Sequence, residues 1–522
     1  MLGALGHCFR LARAGFVLAR EGVFTSVDPQ LLPPEARVPL YLAKLISKRG
    51  SRAQGIAAAI TRLGPSYVKL GQFLATRADI VGPAVVLQLE ALQDRVAPFP
   101  REAAIAQIET SFGQKLDELF VSFSEPIAAA SIAQVHRAVV RDDSGVEQPV
   151  AVKVLRPGIE RRLRRDLSDM YFAARFAERH SRDAERLKPV EVVDTLARSV
   201  KMEMDFRLEA AAASEFAENT ISDPGFRVPK VDWIRTAKDV LTLEWADGIS
   251  LSDLDALSKA GFDLPAIGRN VIQSFLRHAV RDGFFHADMH QGNLMIDSSG
   301  HLIAVDFGIM GRLGLKERRF LAEILYGFIT RDYRRVAEVH FEAGYVPHVH
   351  RVEDFAQAIR AIGEPIHSRT ADQISMAKLL TLLFEITGLF DMRTRTELVL
   401  LQKTMVVVEG VARTLDPKLD MWRTADPVVR GWIEQNLGPL GKLADAGQGL
   451  ATMARVAAGL PDLLIRGERI LSQLEDNAAE GFTLAEDSVE AIRSAEAKGA
   501  RLGHWALWAI FAALVWMIWR WH

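Results

Sequence analysis

The spacing of hydrophobic residues predicts a largely helical chain with a short strand-rich section near its middle. Residues 148–155 form a β-branched, apolar run typical of a strand, and residues 241–248 predict a second strand leading into a connection. Helical spacing dominates after residue 345, and the helix predicted over residues 396–415 ends at Asp416 and Pro417. The mixture predicts an α+β fold.

Residues 200–213 are rich in helix formers and predict one continuous helix. On such a helix Glu203, Arg207 and Ala210 fall on neighbouring turns. A solvated helix with internal ion pairs is an equally acceptable interpretation of this stretch.

The C-terminus carries the longest apolar run of the chain. Residues 505–519 are fifteen apolar residues in succession, which as a helix span about 22 Å, short of the roughly 30 Å hydrocarbon core of a bilayer. A helix extended to residues 502–521 is long enough to cross the core, and it has tryptophans near both ends and flanking arginines that suit the membrane interfaces. We therefore predict a transmembrane helix there, and a buried core helix is the alternative.

Basic residues suggest how the chain meets a membrane. Arg493, Lys498 and Arg501 precede the apolar run and favour a cytoplasmic body. Residues 1–24 predict an amphipathic helix rather than a signal peptide, lying either on a membrane surface or against the protein's own body. The basic run 161–165 could likewise meet anionic lipid, although a solvated basic face is the preferred interpretation.

Composition excludes some classes of function. The 522 residues are 49% hydrophobic and 25% charged, which is enough for more than one ordinary domain. A net charge of -2 predicts no nucleic-acid partner. The single cysteine, Cys8, excludes an internal disulfide and a multi-cysteine metal site.

The most informative chemistry is an H-x-D-x-x-x-x-N motif that starts at His286 and ends at Asn293. Thirteen residues beyond Asn293, Asp306 begins an Asp-Phe-Gly sequence. ATP needs divalent metal held by hard oxygen ligands, which Asn293 and Asp306 supply, and Asp288 is placed to orient an attacking hydroxyl or water. The motifs predict a site for ATP and Mg²⁺, whereas Asp306 alone would fit an ordinary strand-to-turn sequence.

Lys153 lies inside the apolar run 148–155, where a lysine is expected only if it reaches an anion. It is our candidate phosphate-binding residue, and a lysine extending from an edge strand is the alternative. The segment before it resembles a nucleotide lid in which alanine replaces glycine, and should therefore be stiffer. The alternative interpretation is an ordinary alanine-rich turn or helix start, which requires no bound nucleotide. The candidate lid residues are Ala129, Ala130, Ser131, Ile132, Ala133, Gln134, Val135 and His136.

Together these motifs resemble the UbiB family of atypical kinase-like proteins, which includes the ADCK group and serves ubiquinone (coenzyme Q) biosynthesis. The similarity runs from about residue 64 to residue 314. Besides the lid and the two loops, it rests on K-x-G-Q at Lys69–Gln72, V-A-V-K ending at Lys153, and E-x-D from Glu203 to Asp205, with Glu209 just beyond.

The resemblance implies specific roles for these residues. Lys153 would pair with Glu209, while Lys69 and Gln72 would lie over the active site, held partly by Glu203 and Asp205. The backbone of residues 244–246 would hold adenine as a kinase hinge does, and a nearby acid the ribose. The candidate hinge residues are Glu244, Ala246 and Asp247, although Asp247 also fits an exposed turn.

Departures from protein kinases affect the expected reaction. No arginine precedes Asp288, and a helix-forming stretch follows Gly308 without an A-P-E sequence or a long loop rich in serine and threonine. The platform that grips a peptide is therefore missing, which favours ATP hydrolysis or transfer to a small or lipid acceptor.

The resemblance implies an atypical protein-kinase-like bilobal fold with extra N-terminal and C-terminal helices and a C-terminal transmembrane helix. The expected protein is a membrane-anchored, ATP-consuming enzyme of the bacterial inner membrane that acts on or exposes polyprenyl-phenol or quinone intermediates beside other ubiquinone biosynthesis proteins. A regulatory protein kinase and a nucleotide-sensing scaffold are the alternatives. The expected segments are 1–60 (N-terminal helix), 61–123 (K-x-G-Q extension), 124–246 and 247–345 (kinase-like lobes), 346–500 (helical region) and 502–521 (membrane span).

Overall fold

The computed structural model covers most of the chain up to residue 437. The residues described are 2–26, 41, 44–47, 55–75, 85, 88–89, 97–142, 144–180, 188–366, 386, 388–392 and 396–437. Almost all of them belong to one compact unit that ends at Gln435. The predicted membrane span 502–521 lies outside the described residues. Among the helices that are described, none is long and apolar enough to cross a bilayer.

Helices precede the first strand, as the sequence pattern predicts. They are α1 (Leu2–Arg20), α2 (Gly55–Leu63), α3 (Pro65–Ala75), α4 (Arg101–Phe112) and α5 (Leu116–Leu119). The predicted boundary of the strand-rich lobe at residue 124 falls just inside the first strand, which begins at Ser122.

The N-terminal lobe is built on a four-stranded antiparallel sheet of order β1-β2-β3-β5. Alternation along β3 buries Val150, Val152 and Val154 on one face, against Ile108 of α4, and leaves Lys153 on the other. The apolar run around Lys153 is therefore a central strand with a separate role for its lysine. The strands are β1 (Ser122–Ala129), β2 (Ala133–Arg141), β3 (Glu147–Leu155) and β5 (Val240–Glu244), and the short β4 (Phe226–Arg227) precedes β5.

Three helices connect β3 to β4: α6 (Ile159–His180), α7 (Pro189–Glu203) and α8 (Phe206–Thr220). The prediction of one helix over residues 200–213 is wrong, because the chain breaks between α7 and α8. Asp205 has an extended backbone and its carboxylate accepts a hydrogen bond from the Arg207 N–H, which caps α8. An aspartate followed by helix formers can start a helix as well as continue one.

The C-terminal lobe is mainly helical and carries two small sheets. One has the order β4-β9-β8-β6 and the other pairs β7 with β10. The elements are β6 (Ile249–Ser250), α9 (Leu254–Lys259), α10 (Leu264–Arg277), a π-helical turn (His278–Asp282), β7 (Phe284–His286), β8 (Leu294–Ile296), β9 (Leu302–Ala304), β10 (Met310–Arg312), α11 (Leu315–Thr330), α12 (Tyr333–Glu342), α13 (Val352–Ile366), α14 (Thr396–Leu415) and α15 (Met421–Leu437). Helix α14 has the bounds that the hydrophobic pattern predicts.

Helix α1 packs against the protein's own body, one of the two arrangements that the sequence allows. The nearly buried carboxylate of Asp169 on α6 accepts hydrogen bonds from Arg10 at 2.6 and 2.7 Å, and His7 Nδ1 lies 2.5 Å from it. Ala14 and Ala19 are buried on the same helix, whereas Phe9 remains 75% exposed.

A buried ionic cluster joins α8 to the π-helical turn. Asp223, just after α8, accepts hydrogen bonds from His278 Nε2 at 3.0 Å and from Arg281 Nη1 at 2.5 Å. Burial alone would raise the pKa of Asp223, but the bonds from His278 and Arg281 outweigh it and lower this pKa to about 2. The cluster stabilises the folded state only while Asp223 is ionised.

We expect Asp223→Asn to lower the free energy of unfolding by about 3 kcal/mol at pH 7, because it removes the buried carboxylate charge that pairs with Arg281 and accepts from His278. The folded pKa lies below the ordinary value of 3.8, so the contribution is complete above about pH 5 and is lost as pH falls towards 2. Urea unfolding of both proteins across this range measures the difference. Asp426→Asn, which breaks the exposed pair with Arg430, should cost about 0.5 kcal/mol or less. If the difference in free energy of unfolding between wild type and Asp223→Asn stays constant down to pH 2, the lowered pKa of Asp223 is contradicted.

Candidate functional site

Lys153 lies at the centre of the site, between carboxylates from two parts of the chain. Its Nζ donates to Glu209 Oε1 and Oε2 of helix α8 at 2.8 and 3.0 Å, as the resemblance implies, and to Asp306 Oδ1 at 3.2 Å. The ammonium also lies 5.4 Å from the centre of the Phe206 ring. Strand β3, helix α8 and the loop after β9 are thereby joined at one cation.

The three charges shift one another's pKa in different directions. Burial opposes the charged form of Lys153, but the negative charges of Asp306 and Glu209 outweigh it and raise the pKa of Lys153. Burial raises the pKa of Glu209 in spite of Lys153. Partial desolvation by the surrounding protein would also raise the pKa of Asp306, but Lys153 and the Gly308 N–H outweigh this effect and lower it. Asp306 is therefore the carboxylate that remains ionised most firmly.

Asp306 has an unusual backbone, with φ at +67°. An L-residue in this left-handed region costs about 1–2 kcal/mol, and aspartate tolerates it because its short side chain bonds locally. Here Oδ1 accepts from the Gly308 N–H at 3.2 Å. The turn leaves the Asp306 side chain 48% exposed and directs Phe307 into the core, where it is 1% exposed.

The loop after β7 brings the other predicted residues to the same end of the β8–β9 hairpin. Asn293 Nδ2 donates to Asp288 O at 3.0 Å, and Asn293 O accepts from Val305 N at 2.9 Å, next to Asp306. Asn293 and Asp306 therefore lie on adjacent segments of the polypeptide. An amide oxygen and an ionised carboxylate are ligands that suit Mg²⁺, so the donor set fits the predicted metal. The described residues contain no group of three or more His, Cys, Asp or Glu side chains that would hold a metal ion.

The candidate lid forms a hairpin turn between β1 and β2, neither disordered loop nor helix. Ala129 pairs with Gln134, and Ala130 N donates to Ala133 O at 2.8 Å. Ser131 and Ile132 are buried at the tip. Because Val135 pairs directly with Lys153 of β3, these two side chains share the face that carries the site.

Two candidate lid residues direct their side chains to the opposite face. Gln134 Oε1 accepts from Phe99 N at 2.9 Å, and Gln134 Nε2 donates to Phe99 O at 3.2 Å. His136 Nδ1 lies 2.9 Å from Ser124 O, and its ring stacks on Phe123. The side chains of Gln134 and His136 thus hold the lid strands to the protein, on the side away from Lys153.

The candidate hinge follows β5. Glu244 N donates to Lys230 O at 2.8 Å, and the Glu244 carboxylate accepts from Arg227 Nη1 at 2.9 Å. Ala246 is half-buried and Asp247 is exposed beyond it. The Glu244 side chain and N–H therefore belong to the structure of the connection.

The K-x-G-Q segment lies on helix α3, which packs against the N-terminal lobe through Tyr67, Leu70 and Phe73. Lys69 Nζ lies 2.6 Å from Glu203 Oε2 at the end of α7, and both side chains are largely buried.

Other members of the expected K-x-G-Q contact set are arranged differently. Gln72 is half-buried on the same helix. Asp205, which was expected to hold the segment together with Glu203, instead forms hydrogen bonds with Arg207 at 2.9 and 2.7 Å. The break between α7 and α8 separates the two acids of the E-x-D motif, so one faces α3 and the other caps α8.

His286 is a residue of the site whose role the motif spacing did not reveal. It is fully buried on β7, its Nδ1 accepts from Asp288 N at 3.1 Å, and its ring lies 5.6 Å from Phe307. Burial lowers the pKa of His286 in spite of the nearby Asp288 carboxylate, so the ring is neutral near pH 7. The signal in the sequence is a histidine at the end of an apolar strand, two residues before the aspartate.

Comparisons with known proteins agree with this architecture. Residues 91–340 match the ABC1 atypical kinase-like domain, and residues 359–420 match the UbiB helical domain. A Marinobacter nauticus protein called "Probable protein kinase UbiB" is 39% identical over 463 residues, covering 87% of this chain and 84% of the relative. A Pseudomonas paraeruginosa protein of the same name is 40% identical over 401 residues, covering 76% of this chain and 74% of the relative.

A solved structure, the complex of Rv3197 with erythromycin from Mycobacterium tuberculosis, shares the fold. It has a TM-score of 0.50 and 24% identity, and it covers 76% of this chain and 99% of that one. The kinase-like α+β fold predicted from the sequence is confirmed. The domain match and the curated relatives show a kinase-like phosphoryl-transfer enzyme.

A double-mutant cycle should separate the two contacts of the E-x-D motif. We expect a coupling energy of about 2 kcal/mol between Lys69→Gln and Glu203→Gln, because this pair is largely buried and short. The control cycle, Asp205→Asn with Arg207→Gln, keeps a capping residue and breaks a pair whose arginine is 61% exposed; it should give about 0.5 kcal/mol. Urea unfolding measures both coupling energies. A Lys69–Glu203 coupling as small as the control's, about 0.5 kcal/mol, would show that the contact with Glu203 stabilises α3 little.

Proposed function

Since this chain belongs to the UbiB family of atypical kinase-like proteins, we propose that it is a membrane-anchored ATPase or kinase that supports ubiquinone biosynthesis. The observation that carries the proposal is the cation at Lys153, shared by Glu209 and Asp306. Such a group positions phosphates and metal together, which is most of what phosphoryl transfer requires from a protein.

Each residue of the site has a proposed role in nucleotide binding. Lys153 would contact the phosphates, and Asn293 and Asp306 would hold Mg²⁺. The metal would offset the negative charge that develops on the transferred group. Asp288 would orient the acceptor hydroxyl or water and accept its proton. The main chain of the lid turn and of residues 244–246 would cover the phosphates and the adenine.

The acceptor is proposed to be water or a small or lipid phenol. Only β10 and a short turn separate Gly308 from helix α11, which begins at Leu315. Protein kinases place a long activation segment here to bind peptides. Against this stands the name of the relatives, "Probable protein kinase UbiB", which favours a second candidate, a kinase that acts on proteins of the ubiquinone pathway.

The proposed location is the bacterial inner membrane, with residues 502–521 as a tail anchor and the catalytic body in the cytoplasm. Support comes from the length of that apolar segment and the basic residues before it. An anchored body would reach polyprenyl-phenol intermediates dissolved in the bilayer and make them accessible to other pathway enzymes.

We expect Asp288→Asn to reduce ATP turnover at least about 100-fold, because the amide accepts no proton. Nucleotide affinity should change little, whereas Lys153→Ala should also weaken binding. Both variants should abolish ubiquinone production in cells. Turnover is measured by phosphate release, and quinone by chromatography of lipid extracts.

The matched control is Asp255→Asn, an exposed aspartate in the first turn of α9, which should leave turnover unchanged. Normal quinone content with both Asp288→Asn and Lys153→Ala would leave only the scaffold hypothesis. Rapid transfer of labelled phosphate to a polypeptide, with ATP hydrolysis near background, would support the protein kinase instead.

Removal of residues 502–522 should release the protein from the membrane fraction, because the longest apolar segment is lost. Turnover in detergent should remain within about two-fold of the full chain, since every candidate site residue lies before residue 310. Fractionation of cells that express each form measures the change. Retention of the shortened chain at the membrane would assign the anchoring to another segment, with the exposed Phe9 face of α1 as the first to test.

A further inference from the structure

A second concave site lies on the N-terminal lobe, apart from the residues of the nucleotide site. It is a cavity of about 200 Å³ where helix α4, the β3–α6 connection and the start of β5 meet. The volume equals several water molecules at about 30 Å³ each, enough for a phosphate group with part of its carrier. Arg156, Arg161 and Arg164 line it together with Glu160 and Asp239.

The two acids of this cavity already have partners. Glu160 accepts from Arg164 at 2.7 Å and from Lys238 at 3.2 Å. Asp239 accepts from Gln107 Nε2 at 3.1 Å. The charge of Glu160 is therefore offset by two cations, whereas the uncharged amide of Gln107 does not offset the charge of Asp239. The three arginines of the cavity still outnumber its two acids.

Two of the arginines, in contrast, lack an anionic partner within the described part of the chain. Arg156 is half-buried, lies 5.1 Å from the Phe99 ring centre and donates Nη2 to Ala97 O at 3.0 Å, while its Nε is buried without a hydrogen bond. Arg161 is exposed at the rim. A guanidinium held over an aromatic ring with donors to spare is suited to bind a carboxylate or phosphate in two-point fashion.

The basic run 161–165 is thereby divided between two tasks. Arg162 donates to Leu63 O at 3.2 Å, which joins α6 to the end of α2, and Arg165 lies 3.5 Å from Asp166 on its own helix. Arg161 and Arg164 face the cavity instead. The solvated basic face expected from the sequence contains a concave part.

The cavity is connected to the nucleotide lid through the main chain. Arg156 N donates to Ile132 O at the lid tip at 2.7 Å, and Leu155 N donates to Asp239 O at 2.9 Å. Lys153 lies on β3, which ends at Leu155, the residue before Arg156. A ligand that fixes the Arg156 side chain would fix the backbone that holds the lid.

We propose that this cavity binds a phosphate monoester through Arg156, Arg161 and Arg164, and that its occupancy is transmitted to the nucleotide lid. The phosphate can come from a soluble ester or from a lipid head group, which present the same dianion. The binding claim is independent of the proposed function, whereas the transmission claim rests on it.

The first experiment is calorimetric titration of the full-length protein in nonionic detergent with glycerol phosphate, in phosphate-free buffer. Arg161→Ala/Arg164→Ala should weaken binding at least tenfold. Arg165→Ala removes the same charge from the same helix outside the cavity and should bind within two-fold of wild type. Equal weakening by Arg165→Ala, or no binding by wild type, would overturn the proposal.

Arg156→Lys and Arg156→Gln test the two-point contact. Lysine keeps the positive charge without the paired N–H donors of the guanidinium, and glutamine also removes the charge. We expect the glutamine variant to bind more weakly than the lysine variant, and both more weakly than wild type. If thermal melting shows that either is unfolded, the Arg161→Ala/Arg164→Ala result decides alone. Binding of Arg156→Gln at wild-type strength would overturn the assignment of Arg156.

A second arm identifies the source of the phosphate. Mixed micelles of the same detergent with phosphatidylcholine, made with and without phosphatidic acid, are tested as competitors of glycerol phosphate. Competition by the micelles that contain phosphatidic acid, and not by the others, supports a lipid head group, and absence of competition supports a soluble ester.

The transmission claim is measured as the affinity for a fluorescent adenine nucleotide with and without glycerol phosphate. We expect at least a threefold change in wild type and none in Arg161→Ala/Arg164→Ala. An unchanged nucleotide affinity in wild type would contradict the transmission claim without affecting the binding claim. Absence of nucleotide binding altogether would contradict the proposed function instead.

Discussion

The contact of Lys153 with two carboxylates is the interaction on which the rest of the site depends. A lysine withdrawn from water on a central strand is tolerable only if anions replace its hydration. Glu209 provides one from α8 and Asp306 the other from the C-terminal lobe. Their contact therefore fixes the helix relative to the sheet and one lobe relative to the other. Asp306 is the more firmly ionised of the two acids and its side chain is half exposed, which suits a further cation beside it.

The position of Asp306 depends in turn on the aromatic interior behind it. Phe307 lies 6.0 Å from Phe216 and 5.6 Å from His286, measured between ring centres. Packing of this kind offsets the cost of a left-handed aspartate, since the same turn that strains the backbone buries a phenylalanine. Phe216 also meets His278, the buried partner of Asp223. Asp306 and the ionic cluster after α8 thus share one core.

Sequence reasoning predicted what short spacing determines and missed what tertiary contact determines. The approach of Asn293 to Asp306 follows from a hairpin between them, so the motif spacing was sufficient. The bounds of α14 follow from helical periodicity and a terminating Asp-Pro. The break at Asp205 could not be predicted from periodicity, because its neighbours are good helix formers and only the capping hydrogen bond reveals the break. The role of Gln134 depends on Phe99, 35 residues away, a distance over which no local pattern carries information.

The alanine lid changes how a nucleotide would be held. Glycine lets a backbone approach phosphates closely, whereas each methyl group of Ala129 and Ala130 keeps the chain further away and narrows its conformations. The turn is also tied at its tip to Arg156 and below it, through Gln134, to the 97–100 segment. Under the proposed function, the main-chain donors of this stiff turn would contribute less to phosphate binding, and Lys153 and the proposed metal ligands would contribute more. Under the proposed function, Lys153 would therefore supply part of the phosphate binding that a glycine-rich loop supplies in protein kinases.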